Sequence, residues 1–533
     1  MHDLVITGGT VIDGSGAPGV AADVAVDDGR IVEVGRLGTQ AARRTIRADG
    51  MVVAPGFIDL HAHSDLVLLA DPAHHLKVLQ GVTTELLGQD GLSYAPIAPA
   101  ALPVMRDMIT AINGAPDVAY DWTSVAEYLA LLAAARPAVN AAYLVPHGAL
   151  RLSVTGMADR VATDDEVAAM ARMAAAGMAD GALGFSSGLT YPPATWSDTR
   201  ELVAIARAVA PRHGIYVTHH RDYGPRLMAS VEEALTIGRD GGVPVHFSHF
   251  HISGQPYAGR AGEFLDRIDR ERAGGGDVTL DTYPYLAGST FLGAWIPAHI
   301  MTGTTDEAIA RLADPARREL LVAEIEAGPR DYVYTEWGDF QLSGIGSPAH
   351  QDLLGLRLPA AAARRGIRLG ELIRDLLVAS RMNVTILAFT GVEENVRRVM
   401  QDPGWTVGTD AILVGSSVHP RASGTYPTVL GTYARAEGVI SLERAVNAMT
   451  GAPAARIGLV DRGLVRPGLA ADLVVFDPAT VAARSTYEDS RRPPAGMPYV
   501  LVNGVPVKWD DAPTDARPGR IIRGDGTGRA RAA

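Results

Sequence analysis

The sequence predicts an α/β protein: a (β/α)8 TIM-like barrel with a small β-sandwich domain formed by both chain termini. Two observations carry this. Between about residues 55 and 454 short apolar strands alternate with amphipathic helices, and at either end the helices give way to brief strands punctuated by tight turns. Scale agrees, because 533 residues can bury a large core and suggest roughly two to four domains by length.

The first fifty residues hold the short runs 4–7, 23–26 and 30–34, bounded by Gly and Asp as in a small antiparallel sheet. The same texture returns at 471–476 and 499–507, the second run broken by a two-residue Asn503-Gly504 turn. The expected sandwich is therefore 1–54 together with 455–523, flanking a barrel at 55–454. The Gly- and Arg-rich residues 524–533 are expected to be disordered.

Within the barrel region Thr163-Asp164-Asp165-Glu166 is a capping box. Val167, Met170, Ala171 and Ala174 share the helical face that follows, and Gly177 reads as its stop. Eight strands can be placed, at 57–63, 82–88, 141–147, 182–186, 215–219, 243–249, 278–283 and 406–410. A ninth candidate at 384–389 blurs the count. The helix-forming stretch from about 290 to 380 is too long for one loop and reads as a lid inserted over the barrel mouth.

Composition excludes several functions. Hydrophobic residues at 47% and charged residues at 20% are ordinary for a globular chain. The net charge of −12 opposes loose association with nucleic acid or anionic membranes. No run approaches the roughly 18 apolar residues of a membrane span. The N-terminus lacks the basic and apolar regions of a signal peptide, so cytoplasmic residence is expected. With no cysteine, disulfides, thiolate nucleophiles, iron–sulfur clusters and sulfur-bound zinc are ruled out. Lysine occurs only at positions 77 and 508, which excludes lysine chemistry from the middle of the chain.

Function turns on where the histidines fall. Residues 55–63 read Pro-Gly-Phe-Ile-Asp-Leu-His-Ala-His, and a strand period of two puts His61 and His63 on one face about 7 Å apart. That spacing suits two imidazoles on one metal ion, although an isolated His-x-His is as readily a polar strand end. The pattern recurs, however. His219 ends the fifth strand on the parity of Ile215 and Val217, His249 ends the sixth on the parity of Val245 and Phe247, and Asp410 ends the eighth. Catalytic groups of a barrel come from the carboxyl ends of several strands, so these residues converge on one mouth.

The other histidines read more plainly. His74, His75, His213, His299 and His350 are expected to be solvated or packed, and His220 and His246 to face outward. His147 closes the third strand and can face the mouth, and His419 is placed to shape the pocket. Asp59 reads as structural, one layer below the histidines.

Taken together these residues resemble the metal-dependent amidohydrolase superfamily, and within it the N-acyl-D-amino-acid deacylases (D-aminoacylases). Residues 55–63 are similar to the superfamily's first-strand signature. Thr218-His219-His220-Arg221 and Ser248-His249 are similar to the fifth- and sixth-strand metal histidines, and Gly408-Thr409-Asp410 to the catalytic aspartate. The narrower family is indicated by Gly-Leu-Thr-Tyr-Pro-Pro at 188–193, Asp-Thr-Tyr-Pro-Tyr-Leu-Ala-Gly-Ser-Thr at 281–290 and His419-Pro420-Arg421. Residues 450–456 and 516–520 match as well, so the resemblance spans nearly the whole chain.

Two departures stand out. Where the deacylases carry a Gly-Asn-Cys-Gly pattern with a cysteine metal ligand, this chain reads Gly88-Gln89-Asp90-Gly91. Asp90 shares the parity of Val82, Thr84 and Leu86, and a carboxylate binds or bridges metal ions as a thiolate does. The carboxylated lysine that bridges two metals in other superfamily members is impossible here. The family's lysine two residues after the sixth-strand histidine is replaced by His251, able to hold a carboxylate when protonated or as a neutral donor.

The resemblance implies metal ligation by His61, His63, Asp90, His219 and His249, with Asp90, His219 and His249 as the tighter site, and general-base chemistry at Asp410. It further implies substrate contacts from His251, Tyr283, Ser289 and Arg421, although Tyr283 is equally a packed aromatic beside Pro284. The implied cofactor is one or two divalent ions, Zn2+ first, with Mn2+ or Co2+ as alternatives. The implied partner is a small N-acyl amino acid or related amide, with no nucleic acid or membrane partner; oligomeric state is open. Two other readings remain: a cyclic-amide hydrolase of the hydantoinase or dihydroorotase type, and a non-catalytic barrel homologue.

Overall fold

The computed structural model describes residues 1–38, 41–415 and 417–532. Eight parallel strands surround one interior: β1 (Phe57–Asp59), β2 (Val82–Leu87), β3 (Asn140–Tyr143, resumed at Val145–Pro146), β4 (Gly184–Gly188), β5 (Ile215–His219), β6 (Val245–Phe247), β7 (Val278–Thr282) and β8 (Trp405–Val407). Helices cover the outside, as parallel strands require. The seam between β8 and β1 differs from the rest. Among the described residues no ladder joins these two strands; an isolated bridge between Ala62 and Ala411 and the Asp410 N–H donating to His61 O at 2.8 Å close the barrel.

Local sequence explains much of the outer layer. The helix Asp164–Ala179 starts at a complete Thr163/Glu166 capping box, but it runs through Gly177 instead of stopping there. A Cβ at Gly177 would lie 2.6 Å from Val145 Cγ2, so this glycine serves helix-to-strand packing.

The terminal strands build one nine-stranded sheet folded over a core that includes Leu4, Ile6, Val24, Ile46, Leu473 and Leu501. The long strand His2–Val11 makes the fold-over possible. Its first part pairs parallel with Ala42–Arg47, and Thr10 and Val11 pair with Val52 and Val53. The Arg-rich strand Ala42–Arg47 escaped the sequence reading because alternation is masked by charge, as on many edge strands. Asn503 and Gly504 both have positive φ and join Tyr499–Val502 to Val505–Trp509.

The C-terminal tail is a correction. Of residues 524–533, expected to be disordered, Gly524 and Ala530–Ala532 belong to a hairpin that pairs Ile522–Gly524 with Ala530–Ala532, and residue 533 lies outside the described residues. Ile522 and Ala530 pack with Ile58, Ile215 and Val217 in the barrel's interior cluster, and this apolar burial orders an otherwise Gly-rich segment.

The ninth strand candidate also resolves. Val384–Phe389 lies between Ala287–Phe291 and Phe340–Ile345 in a separate antiparallel sheet. Between these strands run the helices Thr305–Ala313, Arg318–Glu326, Leu358–Arg365 and Leu369–Ala379. Among the described residues no helix is long and apolar enough to cross a membrane.

Candidate metal centre

At the carboxyl ends of the barrel strands four histidines and two aspartates converge in two groups. His61, His63, Asp90 and Asp410 form one, and Asp90, His219 and His249 the other, with candidate ligand atoms in each within 4.8 Å of one another. Asp90 belongs to both. Its Oδ1 lies 3.5 Å from His61 Nε2, and its Oδ2 lies 3.5 Å from His63 Nε2 and 3.7 Å from His219 Nδ1 and His249 Nε2.

Turns at the strand ends aim these side chains. Asp90, His249 and Asp410 all have positive φ, at 56°, 31° and 49°, a strained conformation for residues other than glycine. The Asp90 turn is threaded between neighbouring backbones. A Cβ at Gly88 would lie 2.2 Å from Leu144 O, and one at Gly188 would lie 2.2 Å from Asp90 O. His219 follows strand parity as expected, sharing its strand with Ile215 and Val217 of the interior cluster.

His249 reaches the mouth by a different route from the one its parity suggested. Val245 and Phe247 pack outward in the large core that includes Leu235 and Phe264, and His246 points inward. The regular strand ends at Phe247, and the left-handed turn at His249 reverses the alternation. The outward assignment of His246 is thus corrected, whereas His220 does face outward, its Nδ1 3.1 Å from Ser230 Oγ.

The electrostatics fit a divalent cation. Both ring nitrogens of His61, His63 Nδ1 and Asp90 Oδ1 are buried without a hydrogen-bond partner, an arrangement costly unless something else engages them. Burial works against charging His61 and His63, yet Asp90 and Asp410, joined at His61 by Asp281, outweigh it and raise both imidazoles above their ordinary range. Burial likewise opposes ionisation of Asp90, but His61 and the other histidines hold it well below the usual carboxylate range. Burial pushes His219 down to about 4, which leaves it a neutral imidazole with a lone pair to offer.

Behind the ligands lies Asp281, a residue the strand-end argument passed over although it sits near the end of β7. Its Oδ1 accepts the His249 backbone N–H at 2.8 Å; its Oδ2 lies 2.9 Å from His246 Nε2 and 3.7 Å from His61 Nδ1. Thr190 Oγ1 holds His219 Nε2 at 2.8 Å and Tyr223 Oη holds His249 Nδ1 at 3.1 Å, two loop contacts that no local pattern announces. Partners of this kind orient metal-binding imidazoles.

Above the centre opens a cleft of about 820 Å3 including its mouth, lined by His63, Asp90, His219, His249 and Asp410 together with His251, Tyr283 and Ser289. Thr290, Trp295 and Tyr332 complete its wall, and among the described residues no lysine or arginine lines it. His251 packs against Tyr283 with ring centroids 4.3 Å apart and the rings tilted by 36°, and its Nε2 has no partner. Burial pushes this imidazole down to about 3, so it is a neutral group.

Arg421 departs from the expectation of an open substrate contact. Its side chain has no exposed surface and lies one layer back, with Nη1 2.8 Å from Asp410 Oδ2, Nη2 donating to Ser289 O at 3.2 Å, and Cζ 4.5 Å above the Tyr283 ring. His419 is buried behind it, accepting the Arg421 backbone N–H on Nδ1 and bonding Ala287 O through Nε2. His147 turns away from the cleft to Glu201 at 2.6 Å.

Residues 44–508 match the model of the Amidohydrolase family. The D-aminoacylase of Alcaligenes xylosoxydans xylosoxydans is 39% identical over 520 residues, which cover 98% of this chain and 97% of that protein. A D-aminoacylase structure described for its binuclear metal centre superposes with a TM-score of 0.81 at 36% identity, covering 98% of this chain and 99% of that one. The N-acyl-D-glutamate deacylase of Bordetella bronchiseptica, solved with zinc and a phosphonate mimic of the tetrahedral intermediate, gives a TM-score of 0.82 at 35% identity, covering 98% of this chain and 99% of that one. A barrel with histidines and aspartates gathered at its mouth, matched along nearly its whole length, makes this chain a member of the amidohydrolase family and of its D-aminoacylase-like N-acyl-D-amino-acid deacylases.

Proposed function

We propose that the protein hydrolyses the amide bond of N-acyl-D-amino acids or closely related N-acyl amides, with a divalent metal centre held by His61, His63, Asp90, His219 and His249. The observation that carries this reading is the sharing of Asp90 between two ligand groups, in the first of which both ring nitrogens of His61 and His63 Nδ1 are buried without a hydrogen-bond partner. A divalent ion there, Zn2+ first and Mn2+ or Co2+ as alternatives, supplies Lewis-acid polarisation of the scissile carbonyl and a water pKa lowered towards ~7.

The chain's own groups do the rest. Asp410, held ionised beside Arg421, takes a proton from the attacking water as its oxygen bonds to the carbonyl carbon. It returns that proton to the departing nitrogen when the carbon–nitrogen bond breaks. His251 and Tyr283 offer neutral hydrogen bonds to the substrate, and Ser289 adds a hydroxyl from the strand Ala287–Phe291. Arg421, one of the expected substrate contacts, acts on the substrate through Asp410 and Tyr283, against which its guanidinium is packed. The cyclic-amide reading is less well supported, since the lysine bridge on which it depends has no counterpart and Asp90 stands between the two groups.

The test is turnover of a panel of N-acetyl-D- and N-acetyl-L-amino acids and cyclic amides after reconstitution with zinc, manganese or cobalt. Release of free D-amino acids is expected. Hydrolysis of a hydantoin with no action on any acyl amino acid overturns the reading.

A further inference from the structure

Lys77, one of two lysines in the chain, is entirely buried outside the strand that carries the first two histidines. Its Nζ lies 2.5 Å from Asp59 Oδ2, 2.9 Å from Glu85 Oε1 and 2.8 Å from Thr409 Oγ1. Asp59 in turn reaches both flanks of the barrel seam. Its Oδ1 accepts the backbone N–H of His61 at 3.1 Å and that of Thr409 at 2.9 Å, and its Oδ2 accepts the Thr409 hydroxyl at 2.6 Å.

This network lies across the β8–β1 seam, where strand pairing is reduced to an isolated bridge. Side chains there do what a backbone ladder does between the other strands. Burying such charges costs several kcal/mol, and packed apolar side chains often achieve equal stability, so stability alone does not account for the arrangement. Its geometric effect is specific: the two backbone segments it ties together place His61 Nε2 and Asp410 Oδ1 3.6 Å apart. His219 and His249 come from β5 and the turn after β6, which the network does not touch, and are held by Thr190, Tyr223 and Asp281.

We propose that Lys77 is a positioning residue that, through Asp59 and Thr409, sets the spacing of His61 and Asp410 and so governs the metal position built by His61, His63 and Asp410 while leaving the one built by His219 and His249 intact. This rests on the reading that the site binds metal ions.

The experiment is calorimetric titration of metal-free wild type, Lys77→Met, Lys77→Arg and Thr409→Val with Co2+. Arg151→Met serves as a control that breaks a buried ion pair with Glu201 away from the seam. Wild type is expected to take up two ions. Lys77→Met and Thr409→Val should weaken one of the two by about 10- to 100-fold and leave the other within about twofold, as outer-sphere changes do. Lys77→Arg should recover part of the loss, and Arg151→Met should lose thermal stability with both affinities kept. Thr409→Val creates no unpaired charge and carries the test alone if Lys77→Met does not fold. Native affinities in Thr409→Val, the same loss in Arg151→Met, or a wild type with a single ion overturns the proposal. A wild type that takes up no ion overturns the metal reading itself.

Discussion

Arg421 Nη1 stands 2.8 Å from Asp410 Oδ2, and neither side chain is more than marginally exposed. Burial alone would raise Asp410, but the Arg421 guanidinium, reinforced by His63, holds it well below the usual carboxylate range. The carboxylate facing the cleft is therefore charged and ready to accept a proton. Asp410→Asn preserves its shape and removes that capacity. Its kcat should fall by about 10^2- to 10^4-fold while the Asp90, His219 and His249 group keeps its metal, and near-normal turnover on the best substrate disproves the assigned base.

Asp90 is the hinge between the two groups. Asp90→Ala should abolish uptake of both ions, whereas His63→Ala should affect one. Asp90→Cys exchanges a hard ligand for a soft one and should raise the preference for zinc over manganese. Metal analysis of the three variants beside wild type decides the point, and identical selectivity in Asp90→Cys removes the argument.

Asp281 touches a ligand from each group, through the His249 backbone and the His61 ring. Asp281→Asn keeps an oxygen for the His249 N–H and loses the charge that steadies His61. Affinity for both ions should drop by about 10- to 100-fold. Unchanged uptake in a folded variant means that Asp281 only packs.

Ligands that bind only the folded state stabilise it by mass action, by about 2.7 kcal/mol for each ion present at 100 times its dissociation constant. Chelation should therefore lower the thermal unfolding midpoint, and adding zinc back should restore it. Coincident melting curves with and without chelator contradict a metal centre in the folded core.

Glu85 gives a pH test outside the cleft. Burial opposes its ionisation, but His74 and Lys77 outweigh it and hold it well below the usual range. A depressed folded pKa adds stability above the unfolded value of roughly 4.3, and that stability is lost as pH falls through the folded value. Glu85→Gln should cost about 3–5 kcal/mol at pH 7 and progressively less below pH 4. Urea unfolding across that range reads the difference, and a gap independent of pH would show that Glu85 acts through packing alone.

Periodicity and residue type by themselves determined the alternation of strands and helices, the eight strand positions, and the polar strand ends His61, His63, His219 and Asp410, while Asp90 is picked out by its place in the family pattern and His249 by residue type alone. These are local properties: a strand repeats every two residues, a capping box spans four, and a carboxylate can stand in for a thiolate wherever the segment folds the same way. Tertiary structure alone decided the rest. His246 turns inward because the strand ends at Phe247 and His249 takes a positive φ, so counting parity past that point fails. Arg421 pairs with Asp410 behind the pocket wall instead of lining it. The Gly-rich tail is ordered because Ile522 and Ala530 find the barrel interior. Lys77 meets Thr409 across 332 positions of sequence, and a contact of that span leaves no trace in any local pattern, because it exists only once the first and last strands of the barrel lie side by side.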